Sequence, residues 1–287
     1  MFPTADHIRI AAYHRWERRG FAHGRDFDDW TAAEQDMLFA LNYSLIVHQK
    51  LDGPEPTYLG GRQPRVCRFC EAAAPRVSFA PFTRPIPQAL GNHTLLTLDE
   101  CEECHLRFTE EVLTDFEKFV LPYTTGKAVP GRGASPPMPV AAFKGLTKMA
   151  LSLVPQPELE FFPDTLEWIA NPDHDADRGA FAGLGLGCYV HQAGPFRAPF
   201  VALARRREDD APMPYMLVFL GTSGLVFEAP LPLCVRDEDQ EAGATLVPRV
   251  SIPFGSPPFG SIDPACSFLP LAAGEPKRNA RMMVSPR

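Results

Sequence analysis

Apolar residues follow helical spacing through the first third of the chain and shift to strand-like runs after residue 185. Over residues 4–20, Ile8, Ala12 and Trp16 fall at i, i+4 and i+8, with Thr4 as N-cap and Gly20 as the stop, so an amphipathic helix is predicted. A second helix is predicted from near Asp28. There Thr31 and Glu34 have capping-box spacing, and Trp30, Ala33, Met37, Leu41 and Leu45 trace an apolar stripe. The two helices are expected to form a hairpin packed through Trp16 and Trp30. Further along, Leu106, Leu113, Phe116 and Val120 mark the inward side of one helix, and Phe143, Leu146, Ala150 and Leu153 that of another. Leu159, Phe162, Leu166 and Ile169 suggest a third over Pro157–Ile169, which Pro163 should kink or shorten. Runs at 188–191, 200–204, 215–220 and 225–227, with Gly221-Thr222-Ser223-Gly224 as a turn, predict an antiparallel sheet.

This order of elements predicts an α+β protein. Residues 1–52 form a helical hairpin domain, 53–125 a loop-rich segment, and 126–139 a Pro/Gly/Ser linker. Residues 140–262 form an α+β domain with an antiparallel sheet, and 263–287 a flexible tail. Proline is abundant, at 31 of 287 residues, which favours stiff connections and many turns. A formal charge of −7 argues against general coating of nucleic acid, so any such contact must be local. No apolar run is long enough to span a bilayer, and the N-terminus lacks a signal peptide's pattern, so no membrane partner is expected and the protein is read as cytoplasmic.

The sharpest chemical signal is a pair of Cys-x-x-Cys motifs, Cys67-Arg68-Phe69-Cys70 and Cys101-Glu102-Glu103-Cys104, separated by 30 residues. Two such knuckles can surround one Zn²⁺ with four thiolates, which is a closed, structural shell with no open position for water. Cys188, Cys234 and Cys266 stand alone and are read as ordinary thiols.

Two resemblances follow from these residues. Ala12-Tyr13-His14-Arg15-Trp16-Glu17-Arg18-Arg19-Gly20, then Gly24-Arg25-Asp26 and Trp30-Thr31-Ala32-Ala33-Glu34, resembles a short bacterial domain of unknown function over residues 7–40. Residues 65–120 resemble the HNH endonuclease family, in the branch stapled by two Cys-x-x-Cys pairs. The likeness rests on Cys67-Arg68-Phe69-Cys70, Ser78-Phe79, Thr83-Arg84-Pro85-Ile86-Pro87, Ala89-Leu90-Gly91-Asn92 and Cys101-Glu102-Glu103-Cys104-His105-Leu106-Arg107-Phe108. It implies a treble-clef ββα zinc domain and a phosphodiester-cleaving ancestry.

The departures lie at the catalytic positions. Where the family has a general-base His and a neighbour that helps hold a divalent ion, this chain has Thr83 and Arg84, and a guanidinium cannot act as a base at neutral pH. His105 survives at the last motif position, and His93 is the one nearby candidate to replace the base. The resulting expectation is a zinc-binding, HNH-like protein with an altered, inactive nuclease centre, contacting nucleic acid (DNA) through Arg65, Arg68 and Arg84. A competing reading pairs these arginines with Glu102, Glu103 and Glu110 instead. Two alternatives stand beside the main expectation. One is an active endonuclease holding Mg²⁺ or Mn²⁺ through His93, His105 and Asp99 or Glu100. The other is a zinc-braced module that binds a protein partner through the hairpin or the C-terminal domain.

Weaker motifs have simpler explanations. Gly183–Gly187 lacks a P-loop Lys and reads as a tight turn or bulge. Arg205-Arg206-Arg207-Glu208-Asp209-Asp210 reads as a solvated hairpin tip, and Asp173-His174-Asp175-Ala176-Asp177 as a polar loop.

Overall fold

The computed structural model describes residues 2–61, 64–125, 127, 137–171, 185–190, 198–208, 213–222, 225–237 and 265–270, and the fold is α+β. Helices α1 (Ala5–Arg18) and α2 (Asp26–Asn42) pack against each other. The Thr4 hydroxyl caps α1 by accepting from the His7 amide at 3.3 Å. The hairpin is not closed by Trp16 on Trp30. Instead, Arg15 reaches Asp36 at 2.8 Å and Arg19 pairs with Asp29. Trp16 turns onto Phe21 in the connecting turn, with ring centroids 4.9 Å apart. The second helix also starts earlier than the capping box, because Asp26, Asp28 and Asp29 fill its first turn and offset its dipole.

Leu45, read above as the end of the α2 stripe, lies on a strand. Strand β1 (Tyr43–Lys50) follows α2 directly and pairs antiparallel with β5 (Phe200–Arg206). The β-branched pair Ile46-Val47 suits this pleated setting, and the chain therefore enters the C-terminal sheet before it builds the cysteine segment.

The sheet is completed by β6 (Met216–Thr222), β7 (Leu225–Pro230), β4 (Gly185–Val190) and β8 (Ala265–Pro270), in the order β1-β5-β6-β7-β4-β8, with every neighbouring pair antiparallel. Gly185 and Gly187, expected in a turn, lie within β4, and residues 265–270 of the expected tail form an edge strand. Period-two alternation divides the side chains between two cores. Val201, Leu203, Met216, Val218 and Leu220 face the cysteine segment and its helices. Phe200, Ala202, Ala204, Leu217 and Phe219 face the other way, where Leu38 and Phe39 of α2 cover them. Both faces of β5 and β6 are buried, which explains their almost uninterrupted apolar sequence.

The Arg205–Asp210 motif is not a solvated tip where it is described. Arg206 is buried and donates to Asp237 at 2.9 Å and to the Arg236 carbonyl at 3.0 Å, Arg205 pairs with Glu158, and Arg207 donates to the Tyr43 carbonyl at 2.8 Å. These side chains anchor the end of β5 to its surroundings. The Asp173–Asp177 motif and ten of the fourteen residues of the 126–139 linker lie outside the described residues.

Between the knuckles, β2 (Thr57–Leu59) runs parallel to β3 (Leu95–Thr97), and Thr83 bridges Thr97 in isolation, so no regular β-hairpin forms. The second knuckle opens α3 (Glu102–Phe108), which continues through a π-helical turn, Thr109–Leu113, into α4 (Thr114–Thr124). The wider turn shifts the inward register, so Phe108 and Val112 are buried while Leu106, expected inside, is 59% exposed. On α4, Phe116 reaches the sheet at Phe227, centroids 6.0 Å apart.

Helix α5 (Val140–Leu151) is buried on all sides. Pro163 does more than kink the following segment. It divides it into α6 (Gln156–Leu159) and α7 (Pro163–Ala170), where the ring takes the first turn of α7. No helix among the described residues is long and apolar enough to cross a membrane.

Gly145 lets α5 approach the π turn, since a Cβ there would stand 2.6 Å from the Val112 carbonyl oxygen and 2.9 Å from Phe116 Cβ. Gly145→Ala should therefore lower stability by about 1–3 kcal/mol in urea titrations, although alanine is the better helix former.

A four-cysteine centre beside a buried ion pair

The sulfurs of Cys67, Cys70, Cys101 and Cys104 all lie within 4.8 Å of one another. Cys70 Sγ and Cys101 Sγ are 3.8 Å apart, and a tetrahedron of thiolates at the usual metal–sulfur length has edges of about 3.8 Å. The donor set therefore fits a metal ion of that size. The local chain builds the site in two ways. In the first knuckle, the Glu71 amide returns to the Cys67 carbonyl at 2.9 Å, with Glu71 in the left-handed region at φ 55°. In the second, Cys101 is the N-cap of α3, and its sulfur accepts from the Cys104 amide at 3.5 Å. The Cys101 amide in turn donates to Cys67 Sγ at 3.4 Å, which joins the knuckles.

Without metal the thiols share their protons unevenly. A hydrogen bond from Cys104, helped by backbone amides, draws Cys67 down to about 4. Burial pushes Cys101 up to about 11, and the same bond to Cys67 raises Cys104 further. A bound ion must displace the protons of the raised thiols.

Next to this centre stands a fully buried ion pair. Lys148 Nζ, on α5, lies 2.8 Å from Glu100 Oε1 and 3.1 Å from Oε2, with both side chains inaccessible to solvent. Burial alone would raise the Glu100 carboxyl, but the charge and hydrogen bond of Lys148, together with the neighbouring His105, outweigh it and hold the acid below its ordinary range. The ammonium also sits 5.2 Å from the Phe69 ring of the first knuckle and 5.6 Å from the Phe108 ring of α3. Thr83 Oγ1 donates to Glu100 Oε2 at 3.3 Å, and His105 Nδ1 is 3.7 Å from the same oxygen, too far for a hydrogen bond. Thr83, Glu100, His105 and Lys148 therefore converge.

The other expected site residues separate. His93 is exposed at the turn after Asn92, and among the described residues no contact joins its ring to this cluster. Asn92 is structural: its amide donates to the Ile86 and Leu95 carbonyls at 2.8 and 2.9 Å and accepts from the Leu95 amide.

The three arginines expected on a phosphate face also part company. Arg68 is buried, donates to Asp99 Oδ2 at 2.9 and 3.0 Å, and reaches the Leu151 carbonyl at 2.6 Å, where it caps the C-terminal end of α5. Arg65 donates to the Leu98 and Ala80 carbonyls at 2.7 and 2.9 Å while lying over Phe79. Both are internal struts, held by carbonyls and Asp99 rather than by Glu102, Glu103 or Glu110. Only Arg84, beside the half-exposed Phe82 ring, makes no hydrogen bond or ion pair among the described residues.

Residues 3–38 match the family described as Protein of unknown function (DUF2934). That span corresponds to the helical hairpin, where the sequence resemblance was found. No curated protein and no solved structure matches the chain.

Lys148 was missed from sequence. The signal was available: Val140–Val154 is an apolar stretch with two lysines, Lys144 and Lys148, and no acid, so a buried lysine there needs a partner from elsewhere. Lys144 finds the Asn171 carbonyl at 2.8 Å and the Trp168 ring.

Two outcomes follow. Lys148→Met should cost about 3–5 kcal/mol in chemical denaturation by leaving Glu100 buried and unpaired, and adding Glu100→Leu should recover much of that loss. Metal uptake should release protons, so affinity measured by competition with a chromogenic chelator should rise with pH across the thiol range, and Cys101→Ser should abolish stoichiometric binding.

Proposed function

We propose that this chain is a zinc-binding, HNH-endonuclease-like protein whose nuclease centre is altered to inactivity and which contacts nucleic acid through the Arg84 face. Zinc is the metal best suited to four thiolates in a closed tetrahedron, and its part here is structural. The reading is carried by the convergence of Thr83 and His105 on Glu100. Thr83 stands at one of the two positions that the family resemblance assigns to the catalytic pair and His105 at the last motif position, and they meet although 21 residues separate them. A knuckle, bridged extended segments and a second knuckle that opens a helix support the treble-clef description.

The same cluster argues against hydrolysis. Thr83 has no proton-accepting group of suitable basicity, and the Arg84 guanidinium remains protonated. Glu100 and Asp99, the acids available to a divalent ion, are already matched by Lys148 and Arg68. Binding does not need that chemistry. Arg84 next to an exposed aromatic ring offers a phosphate fork and a stacking surface together. A second reading, a module for protein interaction, is favoured by the hairpin, where Phe27 is 80% exposed and Ile10 and Tyr13 are more than half exposed.

Purified protein should hold one equivalent of zinc and leave supercoiled plasmid uncut in Mg²⁺ or Mn²⁺. Cleavage that disappears in His105→Ala would refute inactivity. Arg84→Ala should weaken DNA binding and reduce the salt slope by about one unit; Arg68→Ala should act through stability instead. Absence of DNA and RNA affinity at low salt would leave the interaction module.

A further inference from the structure

A cleft of about 920 Å³ opens between the first knuckle, the C-terminal end of α5 and the α6–α7 corner. Its apolar lining comes from Leu98, Leu153, Leu159 and Leu166. Three exposed carboxylates, Glu71, Glu160 and Glu167, line its margin, and among the described residues none has a hydrogen-bond or ion-pair partner. Two guanidinium groups also reach the cleft, but Arg68 is matched by Asp99, and among the described residues only Arg65, which is held by carbonyls, offsets the margin. The cleft is thus apolar within and net negative around the edge.

Its third feature is backbone. Among the described residues, strand β2 is paired on one side only, with β3, and its end at Leu59-Gly60-Gly61 lines the cleft. Gly60 and Gly61 have φ of 81° and 119°, a conformation suited to glycine, and at Gly61 the missing side chain leaves the peptide group open to close approach. Gly60 has no room for a side chain in any case, since a Cβ would stand 2.8 Å from Asp99 Cγ.

We propose that this cleft docks an extended segment of a partner protein in which lysine or arginine alternates with aliphatic residues. The aliphatic side chains enter the leucine-lined interior, the cations meet Glu71, Glu160 and Glu167, and the segment's backbone lies along the free side of β2. The period-two alternation of a strand delivers both kinds of side chain from one segment. A nucleic-acid backbone is repelled by the same margin, so this surface is distinct from the Arg84 face and does not depend on the nucleic-acid reading.

The test uses the full-length, zinc-loaded chain and a fluorescein-labelled hexapeptide alternating arginine and leucine, followed by fluorescence anisotropy at physiological ionic strength. Glu160→Lys combined with Glu167→Lys should weaken binding by about tenfold or more. Glu55→Lys combined with Glu110→Lys, which changes the net charge equally on acids outside the cleft, should leave it unchanged. All four positions are exposed, so zinc content and circular dichroism should match the parent protein. Equal weakening by both pairs would reduce the effect to general attraction and overturn the proposal. So would no weakening by the first pair, or equal affinity for a peptide in which glycine replaces leucine.

Discussion

The buried contact between Lys148 and Glu100 determines how the middle of this protein is assembled. Glu100 directly precedes the second cysteine pair, and Lys148 is on the helix that the cysteine segment and the sheet enclose. Neither charge tolerates that environment alone, because desolvation costs several kcal/mol per ion unless the partner is in place. The ion pair is a poor source of net stability but a strict condition on geometry: α5 must present Lys148 where the knuckles present Glu100. Phe69 and Phe108 reinforce this by placing aromatic rings from both knuckle regions against the ammonium.

A second link acts in parallel. Arg68, inside the first Cys-x-x-Cys, joins Asp99 to the exposed carbonyls at the end of α5. The meeting of the two knuckles at the four sulfurs thereby also aligns Arg68 and Glu100 with the helix they hold. The four-cysteine centre is consequently coupled to the packing of α5 and, through Phe116 on Phe227, to the sheet. Thr83 and His105 lie beside a carboxylate that a lysine neutralises, so both belong to this joint.

Much of the fold was legible because its signals are local. Thr4 capped a helix, Pro163 interrupted one, and the apolar runs of β5, β6 and β7 were found close to their observed limits. Errors arose where distant partners overrode local pattern. Leu45 continued a helical stripe but joined β1, because β5 offered a strand to pair with. Leu106 fitted the inward series until the π turn shifted its register. Arg206 stood in a charged run typical of a surface tip, yet Asp237 and two carbonyls draw it inside.

The chain's own order of residues determined the two cysteine knuckles, the alternation of the C-terminal strands and the hairpin helices, since each depends on neighbours a few positions apart. Tertiary structure decided which charges are free. Arg65, Arg68 and Arg84 are equivalent as letters in one basic stretch, but carbonyls and a carboxylate from other segments occupy the first two and leave the third unpaired among the described residues. Likewise, Lys148 and Glu100 are 48 positions apart and carry no local sign of each other. Ion pairing of this kind is set by burial and three-dimensional proximity, and neither is a property of sequence separation.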